Sequence, residues 1–199
     1  WTEIGEKFDL VKLVEVGKKG VDLLLSDSTN SEIEGNTPSE AKVVKRLENI
    51  ITEATGRVII TSFASNVYRL KKVIEIAKKT DKKIVLLGSS LLKMMKAIQK
   101  ASLWKIDNSV FLKAANIAKI PNNELIIFCT GSQGEEKAVL SRLAHQNYPD
   151  WKVEAGDCII LTSSPIMDNR FNVELVSNKL FALGAKVYDN NKEDLLHAS

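Results

Sequence analysis

Small polar residues follow several apolar runs of strand length, each time just before a segment of helical period. The five clusters are residues 26–30, 61–66, 88–90, 130–135 and 162–165. Backbone N–H groups at helix N-termini favour anions, so loops that precede helices commonly bind phosphate. If the strands form one parallel sheet, the clusters lie along its carboxyl edge, where open α/β sheets bind ligands. The pattern predicts a phosphate-binding edge, although each cluster alone is also explained as a helix N-cap.

Three larger side chains at or near these clusters could contact a nucleic acid. Phe63 lies between small polar residues at a strand end, where a ring can either stack on a nucleobase or plug the core. Arg69 and Arg142 lie in the helices that follow two of the clusters. Each guanidinium could bind a phosphate bidentately or be a solvated surface group.

Asp27 follows an apolar run at the tip of the first predicted strand, so we expect its carboxylate to be partly buried. Such a carboxylate either orients a histidine, a cation or a loop, or caps the next segment. The chain has only two histidines, His145 and His197. A zinc site of three or four ligands therefore cannot be assembled from it. There is also no Walker loop, no GxSxG motif and no CxxC framework.

The elements that must position these residues alternate between strand and helix. Strands are predicted at 21–27, 57–62, 83–88, 124–131, 157–163 and 185–189, and helices at 6–18, 38–55, 66–79, 90–102, 135–146 and 169–183. A short helical excursion is expected between Trp104 and Pro121. Thr37 and Glu40 suggest a capping box, and Gly56 and Gly184 suggest helix C-caps. The alternation predicts an α/β fold with a mainly parallel, doubly wound sheet and helices on both faces.

Composition and charge limit the class of protein. The chain has 199 residues and 44% hydrophobic content, which fits one compact domain. It has no apolar run long enough to span a bilayer, and its first residues lack the pattern of a signal peptide, so we expect a soluble protein. Cys129 and Cys158 each lie in an apolar run, which favours reduced core cysteines and a cytoplasmic protein over a disulfide or a metal pair. The net charge of +3 is too small to indicate nucleic-acid binding by itself.

Five segments together resemble ribonuclease J. They are LLLSDSTN, ITSFASNVYRL, CTGSQGEEKAVLSRLA, AGDCIILTSSPI and the terminal HAS, in that order and spacing. The resemblance implies a β-CASP domain, an α/β insertion that closes over a zinc-bearing metallo-β-lactamase domain so that RNA threads between them. It implies that residues 1–199 are a single domain, with residues 1–20 and 190–199 as junctions to that absent partner domain.

The resemblance also assigns residue roles. Asp27 corresponds to the acidic position called motif A, beside the metal centre without being a primary ligand. The FASN-like loop, with Ser62, Phe63, Ala64, Ser65 and Asn66, resembles the surface that meets RNA, and the GSQGE-like loop, with Gly131, Ser132, Gln133, Gly134 and Glu135, resembles its neighbour. Position at or near the predicted edge adds Arg69, Arg142, Ser163 and Ser164 as candidate RNA contacts, independently of the resemblance. His197 and Ser199 resemble part of a pocket for a 5′-monophosphate. Ser89 stands where related sequences usually have arginine, and the sequence leaves open whether this departure weakens one phosphate contact.

The function implied is binding and positioning of RNA within a zinc-dependent nuclease that acts as a 5′-to-3′ exonuclease and an endonuclease. The expected partners are 5′-monophosphorylated single-stranded RNA and the metallo-β-lactamase domain, in a homo-oligomeric parent enzyme. We expect zinc in that parent and none on this fragment, which should be inactive alone. Two other functional hypotheses stay open. The chain could be a free-standing nucleotide- or phosphosugar-binding module, or a purely structural interaction domain.

Overall fold

Five short strands form one parallel sheet. The computed structural model describes residues 9–28, 31–32, 34, 38–149, 151–190 and 196. The strands are β1 (Val58–Thr61), β2 (Lys83–Leu87), β3 (Leu125–Cys129), β4 (Cys158–Leu161) and β5 (Lys186–Tyr188), in the spatial order β2-β3-β1-β4-β5. The three central strands are buried along their whole length. Strands that are covered on both faces are apolar along nearly their whole length, and the sequences of these three strands have this composition.

Helices cover both faces of the sheet. The covering helices are α2 (Glu40–Glu53), α3 (Val67–Lys79), α4 (Ser89–Lys100), α5 (Val139–Ala144) and α6 (Arg170–Ala182), whereas α1 (Leu10–Lys19) buries no residue. Successive strand residues point to opposite faces, so Ile60 packs with α2, α3 and α4, whereas Ile59 packs with α5 and α6. The predicted doubly wound α/β fold is confirmed.

The chain changes face between α4 and β3. Three 3-10 turns, Asn108–Val110, Ala114–Lys119 and Asn122–Glu124, occupy this connection and confirm the predicted excursion. Val110 belongs to the core beneath α2 to α4, while Leu112 packs against the core beneath α5 and α6. The chain therefore passes around the sheet here, which places the later helices on the second face.

The first predicted strand is absent. Residues 21–28 form no strand in the described structure, and Leu23, Leu24 and Leu25 are 74%, 76% and 86% exposed. α1 likewise has no buried residue. An apolar run becomes a strand only when a neighbouring edge pairs with its backbone, and no described strand does so. The prediction was therefore wrong for this segment.

Two of the predicted helix-end signals were also wrong. α2 begins at Glu40 after the N-cap Ser39. The carboxylate of Glu40 binds Arg69 instead of closing a capping box, and Thr37 lies outside the described residues. α2 ends at Glu53, well before Gly56. A Cβ at Gly56 would lie 2.3 Å from the carbonyl oxygen of Gly156, so this glycine permits a close backbone approach.

The other helix predictions hold with shifted ends. Gly184 follows α6 with a φ of +83° and donates its N–H to Phe181, which confirms the predicted C-cap. α5 is shorter than predicted because residues 131–138 form turns before it. Cys129 and Cys158 are buried and unpaired, as expected for core cysteines. Within the described ranges, no helix combines the length and apolar character needed to cross a bilayer.

Candidate nucleic-acid interface

Four of the five polar clusters meet at the carboxyl edge of the sheet. Thr61 is level with Cys129 and with Leu161, and Leu87 is level with Cys129, so four strands end together. We call the loops that follow them, residues 62–66, 88–90, 130–135 and 162–165, the polar edge. The fifth cluster does not follow a strand, and its residues 29–30 lie outside the described part of the chain.

The direction in which the chain leaves the sheet changes at the end of β1. The loop after β1 leads to α3 on one face, whereas the loops after its neighbours β3 and β4 lead to α5 and α6 on the other. Loops that leave adjacent strands toward opposite faces diverge and open a gap between them. Ligands of open α/β sheets bind in such gaps.

The loop after β1 exposes an aromatic ring at the polar edge. The N–H of Asn66 donates to the carbonyl of Phe63 (3.0 Å), and Asn66 Oδ1 caps α3 by accepting the N–H of Arg69 (3.1 Å). Phe63 is 37% exposed and belongs to neither core. Ser65 is exposed, whereas Ala64 packs against the core. The ring is thus available for stacking and does not plug the core.

Three hydroxyl groups at the ends of β1 and β4 are buried. Thr61 Oγ1, Ser62 Oγ and Ser163 Oγ have no hydrogen-bond partner among the described residues. A buried hydroxyl left unbonded costs about 1–3 kcal/mol, so such groups normally bind solvent or a ligand. These hydroxyls have unused hydrogen-bonding capacity at the edge, and a ligand reaches them only when the surrounding loops move.

Gln133 braces the loops across the end of β1. Its Nε2 donates to the carbonyl of Ser164 (3.1 Å), and its Oε1 accepts from the N–H of Ile166 (2.9 Å) and from Asn169 Nδ2 (3.3 Å). Its own N–H donates to the carboxylate of Glu135. Because the amide is used within the protein and the residue is 4% exposed, Gln133 holds the loops in place and does not present a free amide to a ligand. Ser132 and Gly134 on either side of it are also buried.

The prediction that Arg69 binds phosphate is wrong. Its side chain is 1% exposed. Its guanidinium binds both carboxylate oxygens of Glu40 and donates to the carbonyls of Thr162 (3.0 Å) and Leu196 (3.1 Å). Since these partners occupy its charge and most of its donors, Arg69 links elements and is not available to a ligand.

Comparison with known proteins identifies the family. The profile described as "Ribonuclease J, beta-CASP domain" matches residues 55–180, from just before β1 through most of α6. This chain belongs to that family. The β-CASP domain described here is 37% identical over 194 residues to ribonuclease J of Mycoplasma genitalium, covering 98% of this chain and 34% of that protein. It is 38% identical over 183 residues to ribonuclease J of Thermus thermophilus, covering 92% of this chain and 32% of that protein.

A third relative gives the same result. Ribonuclease J of Synechocystis is 37% identical over 183 residues, which cover 92% of this chain and 29% of that protein. The chain thus spans about a third of the length of the curated relatives it matches. The resemblance seen in the sequence is confirmed for this β-CASP domain.

Arg142 of the β-CASP domain lies in a different cleft. Its guanidinium lies 5.0 Å from the ring centre of Tyr148. With Arg57 and Trp151 it lines an open cleft of about 900 Å³. The cleft reaches Leu87 at the end of β2 and Arg57 before β1, and the guanidinium of Arg142 forms no hydrogen bond or ion pair with the polar edge among the described residues.

The remaining predicted residues have mixed outcomes. Asp27 is exposed on the segment 21–28, so the expectation of partial burial was wrong, and its motif A role stays a prediction. Ser89 is exposed at the first position of α4. Ser164 Oγ accepts a hydrogen bond from Asn190 Nδ2 (3.0 Å). His197 and Ser199 lie outside the described residues.

The described side chains do not form a metal site. No group of three or more His, Cys, Asp or Glu residues that could hold an ion occurs within the described ranges. These residues therefore offer zinc no set of ligands, and the chemistry of the polar edge is hydrogen bonding and stacking.

Proposed function

We propose that this chain binds and positions single-stranded RNA for a zinc-dependent ribonuclease J-type enzyme that acts as a 5′-to-3′ exonuclease and an endonuclease. The observation that carries the proposal is the end of β1, where an exposed ring lies beside buried hydroxyls without described partners. Phosphate oxygens accept hydrogen bonds from hydroxyls, and bases stack on aromatic rings in a sequence-tolerant way. Phe63, Ser62 and Ser163 are the groups we assign to the RNA.

The polar edge also fits a ligand whose sequence varies. Backbone groups and hydroxyls at strand ends contact the sugar–phosphate chain and carry no base information. A phenyl ring accepts any base because every base has a π-face. A nuclease domain that must process many transcripts requires this kind of contact, and His197 and Ser199 are proposed to hold the 5′-monophosphate.

The catalytic metal and the partner domain belong to the proposal as well. We place the zinc site in a metallo-β-lactamase domain of the parent, so this chain alone should not cleave RNA. The exposed apolar residues Leu23, Leu24 and Leu25, together with α1, form a surface that such a domain would cover. The parent is proposed to be a cytoplasmic homo-oligomer, and the cytoplasmic location rests on the two reduced thiols.

Replacing Phe63 with alanine tests the stacking contact. Fluorescence anisotropy with a 3′-labelled, 5′-monophosphorylated single-stranded RNA measures the affinity of the chain. Because stacking contributes about 1–3 kcal/mol per base, Phe63→Ala should weaken binding by roughly 5- to 150-fold. Phe181→Ala removes a ring that is 70% exposed at the far end of α6 and should leave the affinity unchanged.

The hydroxyl contacts have a matched control too. Ser62→Ala and Ser141→Ala each remove a buried hydroxyl that has no partner among the described residues, but Ser141 lies in α5. Only Ser62→Ala should reduce RNA affinity. Tighter binding of a free mononucleotide than of the oligonucleotide, without salt dependence, would instead support a nucleotide-binding module. Binding of neither ligand would support a structural domain.

A further inference from the structure

The guanidinium of Arg69 joins four separate parts of the chain. Arg69 lies in the first turn of α3, and its carboxylate partner Glu40 begins α2. Its Nη1 donates to the carbonyl of Thr162, directly after β4, and to the carbonyl of Leu196. One side chain therefore connects both helices to the polar edge and to the end of the chain.

The geometry of this contact depends on arginine. Nε and Nη2 bind the two oxygens of Glu40, which neutralises the buried charge. The two hydrogens of Nη1 then remain for two carbonyls. Because the guanidinium is planar and rigid, it fixes the spacing between these carbonyls, which a lysine ammonium on a flexible stem would not do.

Leu196 is held on three sides. Its side chain is fully buried in the core beneath α2 to α4. Its N–H donates to Asn190 Oδ1 (3.0 Å), and its carbonyl accepts from Arg69. Asn190 in turn donates to Ser164 Oγ in the loop after β4. The carbonyl of Leu196 is part of the same planar peptide group as the nitrogen of His197.

We infer that Arg69 is a positioning residue that fixes the orientation of the Leu196 carbonyl, and so of the peptide group that joins Leu196 to His197, relative to the loop after β4. The consequence for RNA rests on the proposed function, in which His197 and Ser199 hold a 5′-phosphate. The role of Arg69 in orienting the peptide group between Leu196 and His197 does not rest on the proposed function.

The two histidines allow a direct test. Two-dimensional ¹H–¹³C spectra of the imidazole rings should show one signal each for His145 and His197, assigned with His145→Gln. In Arg69→Gln the His197 signal should move and sharpen, because its peptide plane loses an anchor. The His145 signal should stay in place, since His145 bonds the carbonyl of Ser141 in α5.

Arg57→Gln is the matched control. Arg57 is also a buried arginine, bound through two nitrogens to the carboxylate of Asp157, but it precedes β1 at the opposite edge of the sheet. Both variants should lower the melting temperature, and only Arg69→Gln should move the His197 signal. If Arg69→Gln does not fold, Arg69→Lys provides the test. Lysine keeps a positive charge for Glu40 but cannot bind the carbonyls of both Thr162 and Leu196, so the His197 signal should still move.

RNA binding gives a second readout. The ratio of the Kd values for 5′-hydroxyl and 5′-monophosphorylated RNA should fall several-fold in Arg69→Gln and stay constant in Arg57→Gln. An unmoved His197 signal in a folded Arg69 variant would overturn the inference. If the unaltered chain does not prefer the 5′-phosphate, the proposed phosphate pocket fails, and the histidine spectra still decide the role of Arg69.

Discussion

Buried polar side chains hold the polar edge together. Gln133 and Arg69 each connect segments that are distant in sequence, and both are nearly inaccessible to solvent. A buried amide or guanidinium is stable only when its donors and acceptors are paired, so each such residue draws several backbone groups into one arrangement. The residues that remain for a ligand are those without such partners, including Phe63 and Ser62.

The two cysteines should be inert in the folded protein. Burial raises the pKa of the Cys158 thiol to about 12 and also raises that of Cys129. Only the thiolate is nucleophilic, so neither should react with Ellman's reagent between pH 7 and 9. Both should react at once in guanidinium chloride. Fast labelling of the native chain would contradict the burial of these strand ends.

The raised pKa of the Cys158 thiol also predicts how the free energy of unfolding depends on pH. A thiol whose pKa is raised in the folded state keeps its proton there, while the unfolded chain releases it above a pKa of about 8.5. The contribution to stability is therefore complete below that pH and is lost as pH rises toward about 12. Cys158→Ala should flatten the alkaline decline of the free energy of unfolding, measured by urea titration from pH 7 to 10.

At the scale of the elements, the turn after β3 sets the distance between this strand and α6. Gly134 has a φ of +71°, and a Cβ there would lie 2.7 Å from the backbone of Asn172. Gln133 beside it bonds to the loop that leads into α6. The turn and the start of α6 therefore form one packed unit at the polar edge.

Gly134→Ala should be more destabilising than Gly156→Ala. Both glycines have positive φ, but nothing lies within 4 Å of a Cβ at Gly156. Gly156→Ala should therefore lower the free energy of unfolding by about 1–2 kcal/mol, because alanine is strained in the left-handed conformation. Gly134→Ala adds the clash with Asn172 and should exceed it by roughly 1 kcal/mol or more. Equal losses in chemical denaturation would show that α6 shifts freely.

At the scale of the whole molecule, the described residues fall into a packed body and an uncovered segment. The body begins near residue 38 and contains the sheet, five helices and both cores. α1 and residues 21–28 contribute nothing to those cores. Apolar surface of this kind is typical of a contact with another domain, which fits the proposed parent enzyme.

Deleting residues 1–28 should leave the stability of the body nearly unchanged. Because none of the described residues in this segment is buried, the free energy of unfolding should change by less than about 0.5 kcal/mol. Leu196→Ala, which empties a fully buried site, should cost about 2–5 kcal/mol. A large loss on deletion would show that the segment packs on the body after all.

Local sequence patterns determined the elements and the location of the candidate site. Apolar runs bounded by polar clusters predicted all five observed strands, because a strand buried on both faces must be apolar along its length. The same clusters predicted the ligand-binding edge, since parallel strands bring their carboxyl ends to one side. Five segments in order, including those around Phe63 and Gly131, carried the family resemblance, which the family profile confirms.

Tertiary structure alone decided which residues are exposed at that edge. Arg69, with Glu40 and Thr162 as partners, shows why: these residues are far apart in sequence, and no local pattern records their contact. The run 21–27 has the composition of a strand but no described neighbour to pair with. Composition determines what a segment can form, whereas pairing and burial depend on distant parts of the chain.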